Sequence, residues 1–149
     1  MSQSYESIIM QFPLFQGYTA PGARMLLERG EVKEYEPGEV LFREGDEPRF
    51  VILLLTGRLQ VFVERNGKDM VLIDAMPGTI VGELAVLCGI PRSASVRASE
   101  RSAALKLTSQ AFRSLLLGDA FLSERIFRQS LRTLIEKERS LIDSLNPAI

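Results

Sequence analysis

The chain has 149 residues, enough for one domain to bury a core without disulfide or metal staples. Its 46% apolar and 25% charged residues match a soluble globular protein, and a net charge of −1 offers no global field to attract nucleic acid or an anionic membrane. The chain has no histidine, which excludes Ser-His and Cys-His nucleophile pairs and His-based metal sites, and the lone Cys88 fits a reducing, cytoplasmic compartment.

The opening "MSQSYESIIMQFPLF" lacks the basic start and apolar stretch of a signal peptide, and the longest apolar run, "FVILLL", is too short to span a bilayer. No membrane partner is expected. Residues 1–35 are predicted helical. One helix opens in "YESIIMQFPLF"; a second lies in "TAPGARMLLERG", with Thr19 as N-cap, Pro21 near its start and Gly30 near its end.

Residues 36–108 change to a β pattern. Pro-Gly, Glu-Gly-Asp, Gly57, Asn66-Gly67 and Pro77-Gly78 punctuate short apolar runs at roughly 10–12-residue intervals, the rhythm of a sandwich or barrel. Asn66-Gly67 between "LQVFVE" and "DMVLID" predicts a tight hairpin, because both turn residues need positive φ. Ser109 is the expected cap of a helix that Gly118 ends. Residues 120–145 then read as one long helix with no internal Gly or Pro. Phe127, Leu131, Leu134, Leu141 and Leu145 fall on one heptad seam, interrupted by Glu138 and widened by Ile126, Ile135 and Ile142. Such a stripe serves either packing on the helix's own barrel or a homodimer. No linker divides the chain, so 1–149 is read as a single domain: helices to 35, barrel to 108, helices to 145.

The chemistry concentrates in "VGELAVLCGIPRSASVRA", residues 81–98. Glu83 and Arg92 are lone opposite charges in an apolar, small-residue neighbourhood. Gly82 permits close backbone approach, and a helix start after it presents free N–H groups. Arginine offers a planar fork for phosphate oxygens, with Ser93 as a further donor, whereas an ionised glutamate accepts from hydroxyls. A site for a sugar phosphate and a buried structural ion pair both satisfy these residues.

The segment from Gly82 to Val96 resembles the phosphate-binding cassette of the cyclic nucleotide-binding domain family, whose pattern runs Gly-Glu-Leu-Ala, a short gap, then Pro-Arg-Ser/Ala-Ala-Thr/Ser-Val. Upstream, "PGEVLFREGDEPRFVILLLTGRLQVF" is similar to the family in its Pro-Gly, Glu-Gly-Asp and Gly57. The resemblance implies a mainly β fold, a double-stranded β-helix (jelly-roll) barrel with N-terminal helices and a long C-terminal helix. It implies that Glu83 accepts from a ribose 2′-hydroxyl, and that Arg92, Ser93 and the backbone around Leu84 and Ala85 hold a cyclic phosphate beside Ala94. It also places Val61, Leu72, Ile73 and Val81 along base and sugar, each equally readable as core. Cys88 matches no ligand position. Two departures stand out: Pro48-Arg49 where the family commonly has Gly-Asp, and Leu134 and Ile135 where catabolite activators place polar residues, with Thr133 one position off.

The expected function is therefore non-catalytic: a sensor for cyclic AMP, or second for cyclic GMP, that signals through its last helix to an unidentified protein or a second protomer. Metal and cofactor are not expected. Nucleic acid is not an expected partner, since nothing after residue 145 would form a helix-turn-helix unit; a truncated transcription regulator is the alternative under which one would belong. The rival readings are a ligand-free interaction module of the same fold and a cupin-like metal enzyme, which the missing histidines disfavour.

Overall fold

A computed structural model of the chain describes residues 3–145. Helix α1 (Tyr5–Gln11) starts on Ser4, whose hydroxyl accepts from the Ser7 amide at 3.2 Å. A 3-10 turn (Pro13–Phe15) leads to α2 (Ala20–Glu28), capped by Thr19 as expected, with the Gly22 amide 3.2 Å from its hydroxyl. The expectation of helix throughout residues 1–35 needs correction. Strand β1 occupies Glu31–Tyr35 and pairs along its whole length with a strand far down the chain, from Glu31 opposite Lys106 to Tyr35 opposite Ser102. Gly30 makes this entry possible, since a Cβ there would meet the Lys106 carbonyl oxygen at 2.5 Å.

The remaining strands are β2 (Val40–Phe42), β3 (Phe50–Thr56), β4 (Leu59–Arg65), β5 (Lys68–Ala75), β6 (Ile80–Val81), β7 (Ser95–Ala98) and β8 (Ser102–Thr108). They form two four-stranded antiparallel sheets, ordered β1-β8-β3-β6 and β2-β7-β4-β5, the two layers of a jelly roll. Asn66 (φ 55°) and Gly67 (φ 75°) make the expected hairpin between β4 and β5.

The run "FVILLL" is apolar throughout because β3 is buried on both faces. Ile52 and Leu54 point between the sheets with Leu59, Val61 and Val96; Val51, Leu53 and Leu55 point outward under the helices, against Ile9, Phe15, Phe112, Leu122 and Ile126. Helix α3 (Glu83–Cys88) interrupts the barrel between β6 and β7. Helix α4 (Ser109–Gly118) is capped by Thr108, which accepts from the Ala111 amide at 3.1 Å. Ser109, the expected cap, instead donates its hydroxyl to the Pro48 carbonyl at 2.7 Å, because Thr108 is still in the extended conformation a cap requires.

Helix α5 (Ala120–Leu145) presents two faces. Leu122, Ile126 and Ser130 are buried against the barrel, whereas Phe127, Leu131, Leu134, Leu141 and Leu145 are exposed. Ile126 therefore belongs to the barrel face and not to the outer stripe; Ile135 and Ile142 do lie in the open. Among the described residues, no helix is long and apolar enough to cross a membrane.

Candidate functional site

A cleft forms where β4 and β5, the turn from β6 into α3, the loop before β7 and α5 converge. Gly82 joins β6 to α3 with φ of 84°, and a Cβ there would lie 2.6 Å from the Arg92 guanidinium and 3.1 Å from the Phe42 ring. No other residue type fits both the backbone and the space. Glu83 follows as the first residue of α3 and is 3% exposed.

Arg92 is equally buried and is held by the loop between β2 and β3: its amide donates to the Asp46 carbonyl and its carbonyl accepts from the Gly45 amide, each at 2.8 Å. Its guanidinium donates through Nη1 to the Gly82 carbonyl at 2.6 Å and through Nη2 to the Phe50 carbonyl. The Phe42 ring stacks beneath it, 4.0 Å from Cζ to the ring centre. Nε is buried with no hydrogen-bond partner among the described residues. Glu83 and Arg92 thus share one cleft without pairing, since among the described residues the ion pairs within 4.0 Å involve neither. The structural ion pair that the sequence left open is not what the fold builds.

Burial pushes the Glu83 carboxyl above the usual carboxylate range, opposed first by its own backbone amide, then by Ser130 and by the charges of Lys137 and Arg92. Burial likewise pulls the Arg92 guanidinium down, opposed by Asp46 and Glu83, and pulls down the Lys137 ammonium, opposed by Glu83.

Most residues expected from the sequence meet here: Gly82, Glu83, Leu84, Ala85, Arg92, Ser93 and Ala94 from the cassette, Val61, Ile73 and Val81 from the strands, and Thr133 from α5. Two do not line the cleft. Leu72 packs in the core between the sheets, because the β4–β5 ladder steps from Val61–Ile73 to Phe62–Val71 and skips it. That bulge turns the Leu72 carbonyl to the Ser140 hydroxyl, which donates to it at 2.7 Å. Leu134 is exposed on the outer side of α5, one helical step beyond Thr133.

Sequence reasoning missed Lys137, Ser130, Thr79 and Phe42. The signal for the first two was a polar stripe, Ser130, Thr133 and Lys137, at the three- and four-residue steps that share one helix face. Helix α5 lies over the cleft and is fastened on both sides of this stripe. Gln129 accepts from the Ile80 amide at 2.8 Å and donates to the Gly78 carbonyl at 3.4 Å, and Ser140 holds the bulged strand. The space left inside is about 40 Å³, room for water and far less than a nucleotide needs. Among the described residues, no group of three or more Cys, Asp or Glu side chains is placed to hold a metal ion.

The architecture is thus a two-sheet barrel that interrupts itself with a short helix and closes the gap with a buried acid, a buried guanidinium and a long helix. Residues 32–119 match the family described as the cyclic nucleotide-binding domain. The chain is 34% identical over 116 residues to a cAMP-dependent protein kinase regulatory subunit of Blastocladiella emersonii, covering 77% of this chain and 28% of that protein. It is similar to the Thermus thermophilus catabolite activator protein, with a TM-score of 0.73 and 26% identity over 90% of this chain and 63% of that one. It is also similar to a cAMP-binding acyltransferase from Mycobacterium smegmatis, with a TM-score of 0.70 and 29% identity over 83% of this chain and 39% of that one. This chain belongs to the cyclic nucleotide-binding domain family, which confirms the expected fold. It spans less than a third of the length of the kinase and channel relatives it matches.

Proposed function

We propose that the domain binds a cyclic nucleotide, cyclic AMP before cyclic GMP, in the cleft between Glu83 and Arg92. The observation that carries this reading is the state of those two side chains. Both are buried in one cleft, neither makes an ion pair within 4.0 Å among the described residues, and Arg92 keeps a buried N–H donor unspent among them. A buried guanidinium with an unspent donor is costly, and a ligand bearing one anionic phosphate and one hydroxyl gives Arg92 a counter-ion and Glu83 a further donor. Arg92, Ser93 and the first amides of α3 face the cyclic phosphate, Glu83 the ribose hydroxyl, and Val61, Ile73 and Val81 the apolar body. The kinase regulatory subunit and the catabolite activator, both in this family, support a regulatory rather than a catalytic role.

Because the cleft is too small for a nucleotide while α5 lies over it, binding moves α5, and the helix transmits the signal. The outer stripe of α5 supports a homodimer as the receiving assembly, and a separate protein is the alternative receiver.

Thermal melting with millimolar nucleotide tests the site. Cyclic AMP is expected to raise the melting temperature of the wild type by several degrees, and that of Arg92→Ala and Arg92→Lys by little or nothing. Equal shifts in wild type and both variants would place the ligand elsewhere.

A further inference from the structure

Glu83 poses a problem that the cassette alone does not solve. A carboxylate this buried needs hydrogen-bond donors or nearby cations to stay ionised, and only the ionised form offers acceptors alone to a ligand hydroxyl. Arg92 is committed: two of its nitrogens donate to the Gly82 and Phe50 carbonyls, and its plane lies on Phe42. The other cation lining the cleft is Lys137, which belongs to α5 and makes no ion pair within 4.0 Å among the described residues.

We propose that Lys137 is a positioning residue for the nucleotide: carried into the cleft by α5, it holds Glu83 ionised, so that the position of the helix sets the strength of the ribose contact. The geometry makes this a property of the helix. Lys137 lines the cleft with Thr133 one turn before it, buried Ser130 stands two turns before Lys137 on the same face of α5, and both favour the ionised Glu83 carboxyl. Gln129 and Ser140 fix that face to the strands below. The groups that face Glu83 from neighbouring elements are Ser130 and Lys137 on α5 and Arg92 from the cassette loop, with Asp46 acting on Arg92 in turn. Lifting α5 removes the two contributions of the helix and leaves only the amide of Glu83 itself and Arg92, which weakens the hold on the ionised carboxyl and with it the grip on the hydroxyl. Ligand and helix position are thereby linked through one carboxylate.

The proposal rests on the nucleotide reading above, and two measurements separate them. The first is the titration of Glu83 in the protein without nucleotide, followed by its side-chain carboxyl carbon in NMR and assigned by its loss in Glu83→Gln. In Lys137→Met the midpoint is expected to rise by about one pH unit or more, and in Lys137→Arg to return to the wild-type position. The second is the affinity for cyclic AMP from pH 6 to pH 9. Lys137→Met is expected to bind about tenfold more weakly at pH 6, a gap that narrows toward pH 9. A Glu83 midpoint unchanged in Lys137→Met overturns the proposal whatever the binding data show. So does a loss of affinity that is the same at every pH, which marks a direct or purely structural contact. If the midpoint moves but no cyclic nucleotide binds, the hold of Lys137 on Glu83 stands and the nucleotide reading fails.

Discussion

Glu83 is held against its own preference. Its carboxyl titrates above the usual range because burial disfavours the charge more than its own amide, Ser130, Lys137 and Arg92 favour it. An acid raised in the folded state contributes its full stability below the ordinary carboxyl range and loses it as pH rises through the folded value. Wherever Glu83 is ionised its charge is therefore a net cost to the fold, and Glu83→Gln, which keeps the shape without the charge, is expected to stabilise the domain there. The gain in melting temperature should grow as pH rises through the folded value and should vanish near pH 4, where the carboxyl is neutral in both states. A lower melting temperature at pH 7 would show that Glu83 is a structural asset. Glu83 and Arg92 were legible in the sequence because a lone charge in an apolar run has few uses. Lys137 was not, because it sits between Glu136 and Glu138 in a helix rich in charge, where only the fold tells which face turns inward.

At the scale of elements, the joint between α4 and α5 is held by Asp119. One carboxylate oxygen accepts from the Leu122 amide at 3.0 Å, capping α5, and the other accepts from the Tyr18 hydroxyl at 3.2 Å. Burial, then the charge of Asp119 and this hydrogen bond, push the Tyr18 hydroxyl up to about 12, so the link is intact throughout the physiological range. Arg125 adds a second tie, donating to the Gln16 carbonyl at 2.9 Å. The N-terminal helices are thus fastened to the root of the helix that covers the cleft. In urea denaturation, Asp119→Ala is expected to cost about 1–2 kcal/mol for the lost cap and link, and Tyr18→Phe less. Adding Tyr18→Phe to Asp119→Ala should cost almost nothing more; fully additive losses would mean the two side chains do not act together. The hairpin at Asn66-Gly67 and the helices capped at Thr19 and ended at Gly118 follow from local chemistry, and the sequence shows them. Strand β1 and the bulge at Leu72 depend on partners distant in the chain, which one-strand patterns do not contain.

For the whole molecule, α5 divides its surface between two tasks. Its inner face closes the cleft, while Phe127, Leu131, Leu134, Leu141 and Leu145 form an exposed stripe at heptad spacing. The sequence offered barrel packing and dimerisation as alternatives for one stripe; the fold assigns barrel packing to a different face and leaves the seam free. Light scattering at tens of micromolar is expected to give a dimer for the wild type and a monomer for Leu131→Lys with Leu134→Lys. Neither residue lines the cleft, so nucleotide binding at the site itself should survive the pair. A wild type that stays monomeric at that concentration contradicts the dimer.

The central claim is that the two buried, unpaired charges of the cassette are the ends of one ligand site. Titration calorimetry of the wild-type chain with cyclic AMP, and separately with cyclic GMP, tests it most directly. The expected result is saturable heat with about one nucleotide per chain, tighter for cyclic AMP, and lost in Arg92→Lys. No saturable heat from either nucleotide at millimolar concentration would contradict it.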